Sequence, residues 1–583
     1  MPSKGSGGTG AQSEEQFDKT PAHQHAKPPA PLESFRWWWL LCLIPAAIHA
    51  GAHAHEMNPD GAVYLDMAAE ALRQGPSSLI NPLWSPGFPA LLAAGLAIFN
   101  PGPAAEFPLA HLITFAAFCL ALAGFSYFLK NWIASPVTDK PPAPDRAQIP
   151  LAFAVFLWIS IEFIGQLKVA PDMLVAGIAL FAAGICCRIY SGVAGNRLLA
   201  AFGAILGLGY YAKAPMLPMG ILLLGLICIW PPQGFNRRRL LLPAAVFLLV
   251  ASPLIGLLSA RVGRFSLGEA GRLNYIWHVN GLKPVGWTGD DGPGHGVPVH
   301  PPRKLMDVPQ VLEFGTPVKG TYPLWYDPAY WYAGAQPRFS ARDQVNALIM
   351  NVQVYWWSAQ MQTILIGGAL ALLALAGLSA AARWPRRLDA VLLCWAGAAM
   401  VLFALVHAEY RYVAAFIVPA WAALYRHLGS DVSVQAKRAV HVCVALVVLI
   451  QLASGLPKLA AQALSAARGT RTPAYIETAH DLLAAGIKRG DPIATVGPAF
   501  TDYYARYLGS RIVAHVFAGQ QAPVPAPEDW SRARQALARL GVRALICRGA
   551  PPATTPGDWK RVGPAGPDGY SVLMIPPLDA HAR

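Results

Sequence analysis

Asp60 opens a stretch whose residue types are suited to acid–base chemistry. It precedes a helical pattern in which Tyr64 and Met67 share one face, so its carboxylate either caps that helix or points into a cleft. The same connection carries Trp84 within the segment 82–89, a stiff proline-rich turn that leads into the next apolar stretch. We therefore interpret the stretch around Asp60 as the candidate reactive site, with helix capping as the alternative.

Two cations stand where the chain is otherwise apolar. Lys213 lies in the motif Gly-Leu-Gly-Tyr-Tyr-Ala-Lys-Ala-Pro, and a buried ammonium there costs roughly 2.5 to 3.5 kcal/mol unless an anion pairs with it. Arg411 lies in Glu-Tyr-Arg-Tyr and has a planar fork suited to phosphate oxygens. The alternatives are that Lys213 extends to the membrane interface and that Glu409 simply neutralises Arg411.

Two groups of residues raise the question of a metal ion. Asp172 follows a proline at the start of an apolar stretch, on the same predicted side of the membrane as Asp60, and carboxylates are common ligands of divalent cations. His49, His53, His55 and Glu56 follow one another at the end of the first apolar stretch. Imidazole and carboxylate ligands suit zinc, and capping of the helix at the interface is the alternative. No cofactor is required by the pattern, and a divalent cation stays open.

A long connection, about 260–360, is rich in aromatic residues, among them Trp325, Tyr326 and Tyr330. A connection of this length in a compact protein is usually functional or disordered, and the aromatic density argues against disorder. Rings beside carboxylates suit carbohydrate, because apolar sugar faces stack on aromatic rings. The alternative is a lid of aromatic residues that lies on lipid.

The elements that must position these residues are apolar helices. The chain has 54% hydrophobic and only 13% charged residues, about half the charged fraction of soluble domains. Stretches long enough to cross roughly 30 Å of hydrocarbon recur along it, which predicts a polytopic membrane protein with about eleven spans. The predicted spans are 37–53, 107–129, 150–167, 172–189, 197–213, 215–231, 240–259, 361–382, 389–407, 411–428 and 438–455. A shorter apolar stretch, 86–99, is predicted to be re-entrant or interfacial.

The basic residues indicate an orientation rather than a nucleic-acid partner. Although the net charge is +14, the Lys and Arg residues fall in short connections, and the clusters lie on alternate ones. By the positive-inside rule those connections are cytoplasmic, so the N-terminus is predicted inside and the C-terminus outside the inner membrane. Residues 1–35 are predicted to be a disordered cytoplasmic tail, and 36–456 the transmembrane domain with a first outer loop at 54–106.

The last part of the chain, 473–583, changes to a soluble pattern. Short helical and strand-like segments alternate there, which predicts a small α/β domain outside the membrane. It lacks a glycine-rich dinucleotide fingerprint, so we interpret it as accessory. Seven of the eight cysteines fall inside predicted spans, which gives no indication of a disulfide framework.

Four motifs in this order resemble the polytopic GT-C glycosyltransferases, in particular the protein O-mannosyltransferase and lipid A aminoarabinose transferase group. They are Asp60 with Tyr64 and the proline-rich turn around Trp84, the Pro-Asp pair ending in Asp172, the hairpin around Lys213, and Glu409 to Tyr412. The resemblance covers about residues 36–430. The chain departs from the group at Gly61, where many members have a second acidic residue; Asp66 or Asp172 are candidates to replace it.

The resemblance implies a GT-C-like fold and a sugar donor linked to polyprenyl phosphate. Under this hypothesis Asp60 is the base, and Lys213 and Arg411 bind the donor phosphate. Arg272, Arg73 and Lys168 are further candidates for the phosphate, whereas Asp172 positions the acceptor or holds an optional metal ion. Tyr64, Trp84, Trp325, Tyr326 and Tyr330 are the candidate residues for the sugar or acceptor.

The partners implied are the lipid-linked donor, membrane lipid and a glycan, lipid or protein acceptor. Because no second carboxylate is placed as a nucleophile, a single displacement with inversion is expected. Two rival hypotheses remain open: a transporter or flippase for lipid-linked glycans, and a relative that binds lipid-linked sugar without catalysis.

Overall fold

The computed structural model describes residues 35–135, 147–165, 168–289, 294–378, 382–517, 525–552, 555 and 557–577. The predicted disordered tail, apart from Phe35, and residues 136–146 lie outside the described residues. Within them the chain is mainly helical, with one mixed sheet near the C-terminus.

The first ten helices extend to residue 278. They are α1 (Arg36–Ala52), α2 (Pro59–Gln74), α3 (Gly87–Phe99), α4 (Glu106–Ala134), α5 (Gln148–Trp158), α6 (Asp172–Tyr190), α7 (Asn196–Ala212), α8 (Met216–Ile229), α9 (Leu241–Val262) and α10 (Ala270–His278). Helix α5 continues as a π-helical turn, Ile159–Ile164.

The remaining helices follow the aromatic connection, which itself contains two helical turns, Pro323–Tyr326 and Pro328–Trp331. They are α11 (Ala341–Met361), α12 (Thr363–Ala376), α13 (Arg387–Ala404), α14 (Tyr410–Leu428), α15 (Val434–Arg468), α16 (Ala474–Ala484), α17 (Tyr504–Leu508) and α18 (Pro527–Arg539).

Each predicted span overlaps a described helix, and the predicted re-entrant stretch overlaps α3. Of the described helices, five are long and apolar enough to cross a membrane. A sixth span is obtained if α11 and α12, which meet at a bend of 74°, are taken as one. The predicted number of eleven spans is therefore not confirmed, because helices such as α5 and α8 are shorter than this length requires.

Small residues allow neighbouring helices to approach closely. At Gly203 on α7, an added Cβ atom would lie 2.2 Å from the carbonyl oxygen of Pro243 on α9, closer than real contacts allow. Close backbone contact through small residues is a common way to hold apolar helices together, since lipid offers no hydrophobic driving force between them. Helices α4 and α6 also pack against each other along their lengths.

A seven-stranded sheet joins two distant parts of the chain. Its order is β1-β2-β4-β3-β5-β7-β6, with β1 (Arg303–Asp307), β2 (Gln310–Glu313), β3 (Ile493–Val496), β4 (Ile512–Phe517), β5 (Ala544–Arg548), β6 (Lys560–Val562) and β7 (Tyr570–Met574). Strands β3, β4 and β5 are parallel, whereas β2 pairs antiparallel with β4. The predicted strands of the C-terminal segment are present, and β1 and β2 of the long connection extend their sheet.

Buried apolar side chains continue across these segments. One core contains Leu65 of α2, Phe88 of α3, Leu324 of the long connection and Tyr504 of α17. We call the assembly of α2, α3, residues 264–338 and residues 474–577 the cap module. Because its parts share one core, the cap module fixes α2 and the N-terminal residues that α2 carries.

Candidate functional site

The ends of four described helices meet at one cluster of charges. Helices α2, α6 and α14 bring their N-termini, and the residue after α7 brings the fourth side chain. Helix N-termini favour anions because their free backbone N–H groups point outward. We call the side chains involved the charged cluster; its members are Asp60, Lys168, Asp172, Lys213, Glu409 and Arg411.

Arg411 lies at the centre of the charged cluster. Its Nη1 donates to Oδ2 of Asp172 at 3.2 Å, and its Nη2 lies 3.5 Å from Oδ2 of Asp60. Its Nε and Nη2 donate to the two carboxylate oxygens of Glu409 at 2.6 and 3.1 Å. Glu409 therefore does neutralise Arg411, as the alternative proposed, but it shares this role with two other carboxylates.

Lys213 completes the cluster from the opposite side of Asp172. Its Nζ donates to Oδ1 of Asp172 at 2.5 Å and lies 3.9 Å from the centre of the Tyr412 ring. The side chain is thus paired inside the protein rather than extended to an interface. Both carboxylate oxygens of Asp172 accept from cations, an arrangement that does not favour this residue as a metal ligand.

Asp60 lies in the first turn of α2 and does not cap the helix. The N-cap residue is Asn58, and Pro59 occupies the first helical position, where its missing N–H costs nothing. The side chain of Asn58 accepts from the backbone N–H of Val169 at 2.8 Å, which ties the start of α2 to the segment before α6. This tie directs Asp60 toward Asp172 and Arg411.

The buried position of Asp60 changes its acidity. Burial raises the pKa of its carboxyl, while the positive charge of Arg411 partly opposes the rise. For Glu409 burial acts in the same sense, but hydrogen bonds from His407 and Arg411 outweigh it and lower the pKa of Glu409. The pKa values of the two carboxyls are therefore shifted in opposite directions, as expected for an acid–base group and a permanent counter-ion.

Gly61 leaves little room for a second acidic residue, which many members of the group that the motifs resemble have at this position. A Cβ atom at this position would lie 2.6 Å from Sδ of Met57 and 2.9 Å from Cβ of Val169. Asp66 does not replace it, because its carboxylate accepts from Thr321 and pairs with Arg506. Asp172 is the carboxylate that accompanies Asp60.

Of the predicted aromatic residues, Tyr64 lies beside the charged cluster, and Trp84 and Trp325 follow it in a row. Burial, followed by the charges of Asp60 and Asp172, raises the pKa of Tyr64. The ring of Tyr64 packs edge-on against Trp84 at 5.5 Å, and Trp84 in turn packs edge-on against Trp325 at 5.5 Å. These rings form a continuous wall that leads away from the charges.

Tyr326 and Tyr330 are not brought to this wall. The backbone carbonyl of Tyr326 accepts from Asn81, and the residue is buried beside Gly320. The ring of Tyr330 stacks on His300 at 4.1 Å. Both residues therefore contribute to the packing of the long connection.

Two of the three further candidates for the phosphate form ion pairs outside the charged cluster. Arg272 pairs with Glu269 and donates to the backbone carbonyl of Ala335 at 2.6 Å. Arg73 pairs with Glu70 at 2.9 Å on the surface of α2. The third candidate, Lys168, belongs to the charged cluster, because its Nζ lies 3.4 Å from Glu409.

Sequence reasoning missed a pair of histidines beside the cluster. The rings of His278 and His407 stack at 3.8 Å, and Nε2 of His407 lies 3.6 Å from Glu409. Burial and the neighbouring His407 lower the pKa of His278 to about 4. Although His407 lies two residues before the Glu409 to Tyr412 motif, no sequence signal connects it with His278 on α10.

The histidines at the end of α1 do not form a ligand set. His53 lies 3.1 Å from Glu56, and the ring of His49 lies 5.7 Å from that of His53. His55 contacts the Tyr475 hydroxyl instead, at 3.4 Å. Within the described residues, no group of three His, Cys, Asp or Glu side chains is arranged to hold a metal ion.

No family model and no curated protein match the chain. Among solved structures, it is similar to ArnT from Cupriavidus metallidurans bound to undecaprenyl phosphate, with 15% identity over 94% of this chain and 98% of that one, and a TM-score of 0.48. It is also similar to the Archaeoglobus fulgidus oligosaccharyltransferase tethered with an acceptor peptide, with 14% identity, 88% and 69% coverage and a TM-score of 0.46. Both are GT-C glycosyltransferases.

Proposed function

We propose that the chain is a membrane glycosyltransferase that moves a sugar from a polyprenyl-phosphate-linked donor to an acceptor at the outer face of the cytoplasmic membrane. One observation carries the proposal. Arg411 contacts the carboxylates of both Asp60 and Asp172, and Asp172 also binds Lys213. A candidate base and two candidate phosphate ligands thus belong to one buried cluster.

The proposed reaction is a single displacement. The acceptor hydroxyl oxygen attacks the anomeric carbon and forms the new glycosidic bond, while the bond from that carbon to the phosphate oxygen breaks. Asp60 takes the hydroxyl proton, and the electron pair of the broken bond goes to the polyprenyl phosphate. Attack opposite the leaving group inverts the anomeric centre.

The charges of the cluster support this sequence of events. With every group ionised, three carboxylates balance three cations, so the net charge is 3 − 3 = 0. The leaving phosphate gains one negative charge in the step, while Asp60 loses one by taking the proton. The total charge of the site is therefore constant through the reaction, which avoids the cost of creating a buried net charge.

Lys213 and Arg411 are the proposed phosphate ligands. An ammonium has three N–H donors, and within the described residues one of them is used in the hydrogen bond to Asp172. Asp172 and Glu409 then act as positioning residues, since they hold the two cations where the phosphate arrives. Arg272 has no place in this clamp because it pairs with Glu269, which is not a member of the charged cluster.

The row of aromatic rings is the proposed site for the sugar. Tyr64, Trp84 and Trp325 follow one another from the cluster toward the long connection. Apolar faces of a sugar ring stack on such side chains, whereas the hydroxyls need polar partners. We assign these three residues to the donor sugar and leave Tyr326 and Tyr330 a supporting role.

Transfer by the purified chain tests the proposal. The full chain in lipid nanodiscs is incubated with undecaprenyl phosphate carrying a radiolabelled sugar and with delipidated membrane extract as acceptor. We expect labelled product and free undecaprenyl phosphate with the native chain, loss of both with Asp60→Asn, and retention with Asp307→Asn, whose carboxylate is exposed on β1. Movement of intact labelled donor across a vesicle bilayer without sugar release would favour a flippase, and donor binding without either would favour a non-catalytic binder.

A further inference from the structure

Two connections lie at the end of the helix bundle that is opposite to the charged cluster. Helices α8 and α14 both begin next to members of the charged cluster, so their C-terminal ends lie far from it. The first connection, 230–240, follows α8, and the second, 382–386, leads into α13. Arg426 in the last turn of α14 pairs with Asp389 in the first turn of α13, which places the start of α13 at the same end. The basic residues predict this end to be cytoplasmic.

The first connection contacts the start of α13. Nη1 of Arg387 donates to the backbone carbonyl of Pro231 at 2.8 Å. The rings of Trp230 and Trp384 lie 6.0 Å apart, and the side chain of Trp384 is 71% exposed. The two connections therefore form one surface, which we call the basic rim. Its members are Trp230, Arg237, Arg238, Trp384, Arg386 and Arg387.

The basic rim has positive charge that its own segments do not balance. Neither connection contains an acidic residue, and the side chains of Arg237 and Arg238 are exposed. Asp389, the next acidic residue along the chain, already accepts from Nε of Arg426 at 3.0 Å. Nη1 of Arg386 is buried and has no hydrogen-bond partner among the described residues. Because a buried charged donor without a partner is costly, the rim favours binding of an anion.

Exposed apolar side chains flank the basic rim. Ile229 at the end of α8 and Leu241 at the start of α9 are 62% and 70% exposed. Tryptophan is enriched at membrane–water interfaces, where one part of the ring is in contact with lipid and the other with water. A nucleic acid or an acidic protein would leave these apolar side chains in water. A phospholipid provides acyl chains for them and a phosphate for the arginines.

We propose that the basic rim binds the head group of an anionic phospholipid. The phosphate pairs with Arg386 and Arg387, and Arg237 and Arg238 add to the positive potential around it. A head group with a net negative charge is preferred over a zwitterionic one, because neither connection offers a carboxylate to a choline or ethanolamine cation. The site is independent of the proposed sugar transfer, since it lies at the other end of the helices that carry the charged cluster.

Native mass spectrometry of the full chain in detergent micelles tests this inference. The probes are phosphatidylglycerol and phosphatidylcholine with the same acyl chains, inorganic phosphate and a polyglutamate peptide. We expect phosphatidylglycerol to bind at least about tenfold more tightly than phosphatidylcholine, and neither inorganic phosphate nor the peptide to displace it at equal concentration. Equal affinities for the two lipids overturn the inference. Displacement of phosphatidylglycerol by phosphate or by the peptide also overturns it, because the site would then recognise a free anion or an acidic protein.

Two double variants and a control locate the binding. Arg386→Gln combined with Arg387→Gln should weaken phosphatidylglycerol binding roughly twentyfold, since each basic residue near an anionic head group contributes about fivefold. Arg237→Gln combined with Arg238→Gln changes only exposed side chains, so the fold is retained and a similar loss is expected. The control is Arg36→Gln, at the exposed arginine that begins α1, a helix that packs against α4 and α15. Native affinity in both double variants, or an equal loss in the control, overturns the inference.

Discussion

Arg506 and Asp66 form a buried ion pair between segments that are 440 positions apart in the chain. The guanidinium of Arg506 also donates to Glu106 at 2.9 Å, and Asp66 accepts from the hydroxyl of Thr321 at 2.8 Å. Because Asp66 lies on the helix that carries Asp60, the C-terminal segment holds that helix in place. The segment is therefore more closely involved in the site than the accessory domain predicted from its sequence.

Loss of Arg506 should disturb the candidate site, although Arg506 is not a member of the charged cluster. Arg506→Ala leaves the buried carboxylate of Asp66 and the half-buried one of Glu106 without their cation, and loss of one partner costs about 3–5 kcal/mol in buried pairs. We expect a lower melting temperature and a lower kcat, with Arg506→Lys restoring part of both. Arg532→Ala, which removes an exposed pair with Asp529, serves as the control and should leave both unchanged. A fall in melting temperature with native kcat would contradict the positioning role.

Asp60→Asn should remove the base and keep the shape of the site. We expect sugar transfer to fall by roughly 10² to 10⁴, the usual contribution of a positioned base, while the affinity for undecaprenyl phosphate changes little. Asp60→Glu should retain part of the activity. Single-turnover transfer and donor binding are measured side by side, and native turnover in Asp60→Asn would exclude this residue as the base.

As the pH is lowered, sugar transfer should decline at a higher pH than the usual pKa of an aspartate would give. Burial raises the pKa of Asp60, and a base works only when deprotonated, so activity is present above this pKa and is lost as the pH falls through it. We expect the acidic limb of kcat/KM to lie above about pH 3.9, the usual value for aspartate. An acidic limb at or below that value, in a chain shown to stay folded there, would count against Asp60.

Lys213→Ala should weaken donor binding more than it slows the chemical step. A hydrogen bond to a charged group contributes about 1.5–3 kcal/mol, so the KM for the donor should rise roughly ten- to a hundredfold. The matched control is Lys488→Ala, at an exposed lysine of the C-terminal segment. Titration of both variants with undecaprenyl phosphate checks the result, and equal affinities would remove Lys213 from the clamp.

Asp502 should make the stability of the cap module depend on pH. Burial raises its pKa from 3.8 to about 6 in the folded chain, so folding is favoured by the protonated form. This contribution is full below about pH 4 and is lost as the pH rises through about 6. We expect the melting temperature of Asp502→Asn to fall less between pH 4.5 and 7.5 than that of the native chain. Parallel melting curves would contradict the assignment.

The sequence predicted much of the site because helix boundaries place its residues. Asp60, Asp172 and Arg411 each lie in the first turn of a helix whose beginning is marked by proline or by a change in polarity. Lys213 follows directly after α7, where Gly209 accepts its backbone N–H. These local signals indicate which ends of the helices carry charge, although not which charges pair.

The remaining contacts depend on packing between distant segments. Arg272 and Arg411 have the same chemistry, and only the tertiary fold commits the first to Glu269 and brings the second to Asp172. The pairing of β2 with β4 could not be predicted from the sequence either, since a four-residue strand in a long connection does not indicate its partner. Sequence periodicity therefore predicted the elements better than their association.

The shared sheet has a consequence for how the chain is made. Gln310 of β2 pairs with Phe517 of β4, so a strand synthesised early waits for a partner that leaves the ribosome much later. Until then β2 has an open hydrogen-bonding edge, which attracts other extended segments. A nascent chain halted before β4 would keep that edge unprotected, and the quality of the final protein depends on shielding it during biogenesis.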